Sequence, residues 1–339
     1  MSVPVTEAAP RERGWLRTIL ALLLALSIPL IAALRLIVPI EQTIVLIAPA
    51  MAVCALVGWL QGGRLWLAAV WVALAGWILA TSLPAGGAFQ FLSKGWATVL
   101  AASFGIASVV APRRPFFTRA LSATGMTFAV ALTVIVAMRV PPATLAGHVS
   151  SELARRYSES EAEWTQRTTT PEWKELSEKY PDMVAMVNQG EAQLQAVTPV
   201  SAMLFPALLA LESLAALGLA WSLYHRASRT RIGAPLRALS EFRFNDQMVW
   251  GAVVGVTVLV LPTLHDARGL GLNLVGFFGV LYALRGLGVL HWFLAPRGIV
   301  RVLFFIAIVL AWPVVSVFSL GLGLGDTWID WRGRARPAA

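Results

Sequence analysis

Between Trp15 and Leu324 the chain is an almost unbroken series of apolar runs, interrupted once by a polar block, 148–196. Hydrophobic residues make up 58% of the 339 residues and charged residues only 13%, against about 25% charged in a typical soluble domain. A chain so poor in charge cannot cover a water-facing surface, so lipid has to be part of its solvent. Apolar runs of about 18 residues or more then read as helices that satisfy their own backbone groups inside a bilayer. A β-barrel would instead alternate polar and apolar residues over segments of about ten residues. Runs such as 19–33 and 299–322 are apolar on nearly every face, which excludes that alternative.

The apolar segments are 16–34, 43–61, 64–82, 95–111, 119–138, 199–223, 248–264, 270–294 and 299–322. They predict an all-α, polytopic transmembrane bundle of about eight or nine spanning helices, with a small extramembrane helical insertion. The organisation follows: an N-terminal tail at 1–15, front helices at 16–140, the polar insertion at 141–198, back helices at 199–324 and a polar tail at 325–339. The links 35–42 and 62–63 suggest tight hairpins, and 95–111 is at the lower length limit for a span. Arg11, Arg13 and Arg17 precede the first run as a signal peptide's basic region would. That run is longer than a signal core and no small-residue cleavage site follows, so it reads as the first span.

The formal charge of +9 is unevenly spread. The polar block holds nine of the eighteen acids and five of the twenty-seven bases, a net −4 that leaves +13 elsewhere. Scattered over short loops, that excess orients a membrane protein. Nucleic-acid binding would need a basic face on a folded domain, and none is present. With the N-terminus in the cytoplasm of a bacterial inner membrane, Arg64, Arg113, Arg114, Arg119, Arg226, Arg229, Arg231, Arg237, Arg243, Arg297 and Arg301 face inward and the acidic block faces out. The arginine-rich stretch 224–246 then meets anionic lipid. Only the tail breaks the pattern. Arg332, Arg334 and Arg336 fall outside if nine segments cross and inside if eight do.

The block itself reads as two or three short amphipathic helices. Residues 151–166 contain neither Gly nor Pro, and Thr169-Thr170-Pro171-Glu172 combines a Thr cap, Pro in the first turn and an acid near the positive helix end. Pro181 marks a break. Trp164, Trp173, Leu176, Tyr180, Met183, Met186 and Val187 supply an apolar stripe suited to a cap over the bundle or to a docking module.

No catalytic motif stands out. Cys54 is the only cysteine, and the four histidines, His148, His225, His265 and His291, are not spaced to share a metal on one helix. The expectation is a non-enzyme with no metal site and no cofactor. The informative residues are the polar ones at membrane depth, where ionisable groups are costly and mark ligand or ion sites: Glu212, Asn273 and Arg285. Glu212 and Arg285 are expected to pair. Gly276, Gly279, Ala283 and Gly286 continue a small-residue face from Asn273, and Gly251 with Gly255 form a GxxxG in the preceding segment, so these two helices should pack closely. In the tail, Gly321, Gly323 and Gly325 disfavour a regular helix. Asp326 and Asp330 would share a face beside Arg334, and with Arg332 would make an interfacial, salt-bridged end.

A resemblance attaches to part of this pattern. The stretch Arg231–Pro235, then Gly271-Leu272-Asn273, Arg285-Gly286 and the series Gly325, Asp326, Trp328, Asp330, Arg332 resemble the YybS-like family of bacterial multi-pass membrane proteins over roughly the last hundred residues. That family favours Gln where this chain has Arg285. It is distantly similar to the substrate-binding subunits of energy-coupling-factor vitamin transporters, so the resemblance implies a transporter-like subunit that binds a small solute. The family comparison also implies a coupling protein docked on small residues of an early helix, for which only the dispersed Ala68, Ala69, Ala73 and Gly76 are available. The other reading is a scaffold or assembly subunit of a larger membrane complex. The partners expected are therefore the lipid bilayer, a membrane or cytoplasmic protein and a small-molecule ligand.

Overall fold

In a computed structural model of the chain, the described residues are 14–82, 87–230, 232–295 and 299–335, and they form helices with no strand among them. Arg11, Arg13, Arg231, Arg297 and Arg336, which enter the charge pattern, lie outside the described residues, as do the side chains of Val187 and Arg301. The chain divides into two compact units, 1–236 and 237–339.

In the first unit, α1 (Leu16–Ser27) ends in a short 3₁₀ turn at Ile28–Leu30, followed by α2 (Ala32–Ile37). The single span expected at 16–34 is therefore broken. Pro29 lies in that turn, where it removes an amide donor and crowds the preceding carbonyls. Next come α3 (Ile44–Leu60), α4 (Leu65–Ala80), α5 (Gly87–Val110) and α6 (Phe116–Ala137). Helix α3 is the core of the unit: it packs on α4, α5 and a later helix, α10, and is buried along most of its length. Helix α5 begins well before residue 95. Polar Ser93 and Lys94 hide its first two turns from a hydropathy reading, yet Ser93 donates to the Phe89 carbonyl and Lys94 Nζ to the Thr81 carbonyl, at 2.9 and 2.6 Å.

The polar insertion forms three helices, α7 (Pro142–Thr168), α8 (Pro171–Lys179) and α9 (Pro181–Met203). The start of α8 is built as expected: the Thr170 hydroxyl accepts from the Trp173 amide, with Pro171 and Glu172 in the first turn. The ring of Trp164 meets that of Trp173 edge-on at 5.3 Å. The first helix is not short, however, at 27 residues. Helix α10 (Phe205–Ala227) follows, with Ala216, Leu217, Ala220 and Trp221 fully buried.

The second unit holds α11 (Val249–Val260), α12 (Arg268–Leu294), α13 (Ile299–Leu310), α14 (Trp312–Ile329) and α15 (Trp331–Arg334). The run 299–322 is not one straight helix. Pro313 stands at the start of α14, and the axes on either side of the break are bent by 97°. The alternate glycines do not interrupt α14 either, because close packing compensates for their low helix propensity. A β-carbon on Gly286 would strike the Ser319 carbonyl, and one on Gly323 the Tyr282 carbonyl, so α12 and α14 meet backbone to backbone. Gly251 and Gly255 do pack on α12, against Phe278, Leu274 and Val275. That face carries Gly271, not the Gly279 row expected to make the contact, and Gly279 has open space beside it.

Arg332 and Leu239 both lie beside Gly288 near the C-terminal end of α12, and α13 starts five residues after α12 ends. The α13–α14 pair thus leaves from and returns to the same end of α12. By length and composition, four helical segments among the described residues can cross a membrane: Gly87–Val110, Phe116–Ala137, Phe205–Ala227 and Pro262–Leu294. The bent pair would be a fifth, and the remaining apolar helices are shorter.

The glycine contacts lead to a comparison of two substitutions. Gly286→Val should destabilise the purified protein by about 3 kcal/mol through overpacking. Gly279→Ala should be neutral or stabilising by up to about 1 kcal/mol. Thermal unfolding in one detergent reads both, and equal effects would refute the close crossing.

Candidate functional site

Buried polar clusters occur in both units. In the first, the short segment between α2 and α3 leaves carbonyls that no helix satisfies. Arg156 of α7, 2% exposed, supplies the donors. Its Nη1 donates to the carbonyls of Arg35 and Val38 at 3.1 and 2.8 Å, and its Nη2 to that of Pro39 at 2.9 Å. A cation at these carbonyls also meets the negative end of α2. The Arg156 Nε donates to Glu152 one turn back at 2.8 Å and lies 3.3 Å from Glu41, while the guanidinium sits 5.4 Å from the Phe89 ring centroid. Arg35 pairs with Glu163 of α7 at 2.9 Å. From the other side, Glu212 of α10 accepts the Ile40 amide on Oε2 at 3.0 Å. Its Oε1 is buried without a hydrogen-bond partner. One segment, 35–41, is thus held by a polar helix through its carbonyls and by an apolar helix through an amide.

Burial alone would raise the Glu152 carboxyl, but hydrogen bonds from Arg155 and Arg156, and their charges, outweigh it and hold the group below its ordinary value of 4.5.

In the second unit, Asp326 of α14 is fully buried at its side chain and lies between two arginines. Arg285 Nε and Arg332 Nη2 donate to its Oδ2 at 2.9 and 2.7 Å. Arg285 also donates to the Asp326 carbonyl at 3.0 Å and to Asp246 at 2.6 Å. Arg332 reaches the carbonyls of Ser240 and Phe242 at 2.8 and 3.2 Å. Asp330, in a left-handed conformation at φ 44°, caps the Gly333 amide and pairs with Arg243.

Within its own unit, Glu212 takes the Ile40 amide as a partner, and Arg285 takes Asp326 and Asp246. Asn273 donates to the Gly269 carbonyl one turn back on its own helix, at 2.8 Å. One expectation is corrected. Asp326 and Arg332 are 1% and 2% exposed, not interfacial, and the chain turns at Asp330, so the two acids do not share a continuous helical face beside Arg334. Sequence reasoning missed Arg156, Glu41 and Asp246. The one available signal for Arg156 was the spacing of Glu152, Arg156 and Ser160, all buried on one face of α7.

No family model matches the chain, and comparisons with curated proteins and with solved structures find no match. Among the described residues, no group of three His, Cys, Asp or Glu side chains is placed to hold a metal ion.

The two clusters predict different responses. Asp326→Asn leaves two buried guanidinium groups facing each other and should cost about 3–5 kcal/mol. Asp330→Asn, at a half-exposed pair, should cost under about 1 kcal/mol. Denaturant or thermal unfolding of the two variants separates them. For Glu152 the folded value is depressed, so its contribution is present at neutral pH and is lost as pH falls below about 4.5. Hydrogen exchange of α7 should rise there in the wild type, and Glu152→Gln should remove that pH dependence.

Proposed function

We propose that the chain is a non-catalytic, multi-pass inner-membrane protein that binds a small solute beneath its polar insertion, with Glu212 as the principal contact. The observation that carries this reading is the Glu212 carboxylate. It sits in an apolar helix long enough to cross a membrane, uses one oxygen on the Ile40 amide and keeps the other buried and unpaired. A carboxylate at membrane depth is costly and marks a ligand or ion site by default, and an unpaired acceptor suits a solute carrying a cationic or N–H donor group. Glu41 and Arg156 border the same segment and supply both signs of charge for orienting it. The transporter-like subunits implied by the resemblance are consistent with this placement.

Topology enters the same reading. A re-entrant α13–α14 pair, rather than a ninth crossing, is supported by its departure from and return to one end of α12. Eight crossings place Arg332 and Arg334 in the cytoplasm with the N-terminus, as the positive-inside rule requires. The second reading, a scaffold, is favoured by Arg285, which is consumed by Asp326 and Asp246 instead of facing a ligand. The residues that carry the family resemblance, Arg285-Gly286 and Gly325 to Arg332, coincide with that lock.

Native mass spectrometry of the purified protein tests the binding reading. A small molecule should co-purify with the wild type and drop at least ten-fold in Glu212→Gln, with unfolding temperature retained. A wild type free of small molecules but carrying a stoichiometric protein partner would favour the scaffold. For topology, single cysteines in a Cys54→Ser background are informative. Glu178→Cys should react with an impermeant maleimide on intact cells, and Arg334→Cys only after permeabilisation; labelling of both from outside would overturn the eight-crossing arrangement.

A further inference from the structure

A second site lies at the other end of α5 and α6. Arg119, one turn into α6, is 1% exposed, yet it forms an ion pair with no carboxylate among the described residues. Its Nη1 donates to the Ile232 carbonyl at 3.0 Å, its guanidinium lies 4.4 Å from the Trp221 ring centroid, and its Nε is buried without a partner. The position is fixed tightly. At Gly233, with φ 133°, a β-carbon would come within 2.6 Å of Arg119 Nη2.

Arg119 lines an open groove of about 840 Å³ whose rim carries exposed Arg113 and Arg114 and whose walls include Ile106, Val110 and Met126. Among the described residues, no carboxylate lines it. The N-terminus of α6 opens here without a side-chain cap, so its partial positive charge adds to that of the three arginines. A buried guanidinium costs several kcal/mol unless a counter-charge is supplied. Here the described residues around it supply a carbonyl and an aromatic face but no carboxylate, which leaves the site complementary to an anion from outside. The exposed apolar wall requires something more than a free ion: Ile106 and Val110 are 53% and 77% exposed on a helix apolar enough to span.

We propose that this groove binds one anionic phospholipid, its phosphate held by Arg113 and Arg114 in the field of Arg119 and an acyl chain lying along Ile106, Val110 and Met126. The proposal requires only that α5 and α6 sit in a bilayer, and it is independent of the Glu212 reading.

The test uses the full chain purified in a neutral detergent, with phosphatidylglycerol, phosphatidylcholine and inorganic phosphate as probes. Retained lipid is counted by native mass spectrometry and affinity is taken from tryptophan-monitored unfolding. Phosphatidylglycerol should be retained at one per chain and should raise the unfolding temperature, and phosphatidylcholine should do neither. The double variant Arg113→Gln, Arg114→Gln, at exposed positions that leave the fold intact, should bind phosphatidylglycerol about ten- to thirty-fold more weakly, given the usual contribution of each basic residue near an anionic lipid. Equal stabilisation by phosphatidylcholine, unchanged affinity in the double variant, or full saturation of the effect by inorganic phosphate would each overturn the proposal.

Discussion

The structure depends on backbone carbonyls that a helix has released being held by buried arginines. Backbone groups that leave a helix and are buried need partners from elsewhere in the protein. At three such places among the described residues a guanidinium supplies them. Arg156 holds the carbonyls of residues 35, 38 and 39, Arg119 holds that of 232, and Arg332 holds those of 240 and 242. A guanidinium suits the task because its donors are fixed in a planar fork and can reach several acceptors at once. The clamps differ in how their charge is balanced. Arg156 has Glu152 and Glu41, and Arg332 shares Asp326 with Arg285. Arg119 has an aromatic face and a carbonyl instead. That inequality leaves Arg119 as the clamp with no carboxylate beside it among the described residues.

Features encoded by neighbouring residues were legible in the sequence. The Thr170 cap, the break at Pro181 and the packing of Gly251 and Gly255 on the next helix each depend on residues within a turn or two, or on a pattern along one helix. The helical, membrane-type class followed from composition alone. Partner choice was not legible. Glu212 and Arg285 have complementary charges and similar depth in their segments, but an acidic side chain is equally well served by an amide such as that of Ile40. Backbone amides and carbonyls leave no trace in a sequence, so Arg119 looked like a loop charge and Arg156 like one more charge on a polar helix.

Proline placed a second limit on the sequence reading. Pro29 and Pro313 coincide with breaks in apolar runs that hydropathy treats as continuous, whereas Pro49 lies inside α3 without ending it. In each case the ring removes a donor and crowds the carbonyl four residues back. The difference lies in the surroundings. Residues 45–52 of α3 are buried on all sides by neighbouring helices, so packing keeps the helix continuous through the defect. At Trp312-Pro313 the chain is exposed, and nothing opposes the bend. The number of spans in a chain like this is therefore set by tertiary packing around prolines, which a window average of hydropathy cannot register.

The same reasoning bears on the tail. If the end of α14 lay away from the C-terminal part of α12, Asp326 could not meet Arg285, and Gly286 could not take the Ser319 carbonyl against its backbone. Backbone contact at paired glycines and the buried charge group thus hold α14 to the same path. The buried Arg285–Asp326–Arg332 group makes that path specific. Any register that separated the two helices by a turn would leave an unpaired charge in a low-dielectric interior, at a cost of several kcal/mol.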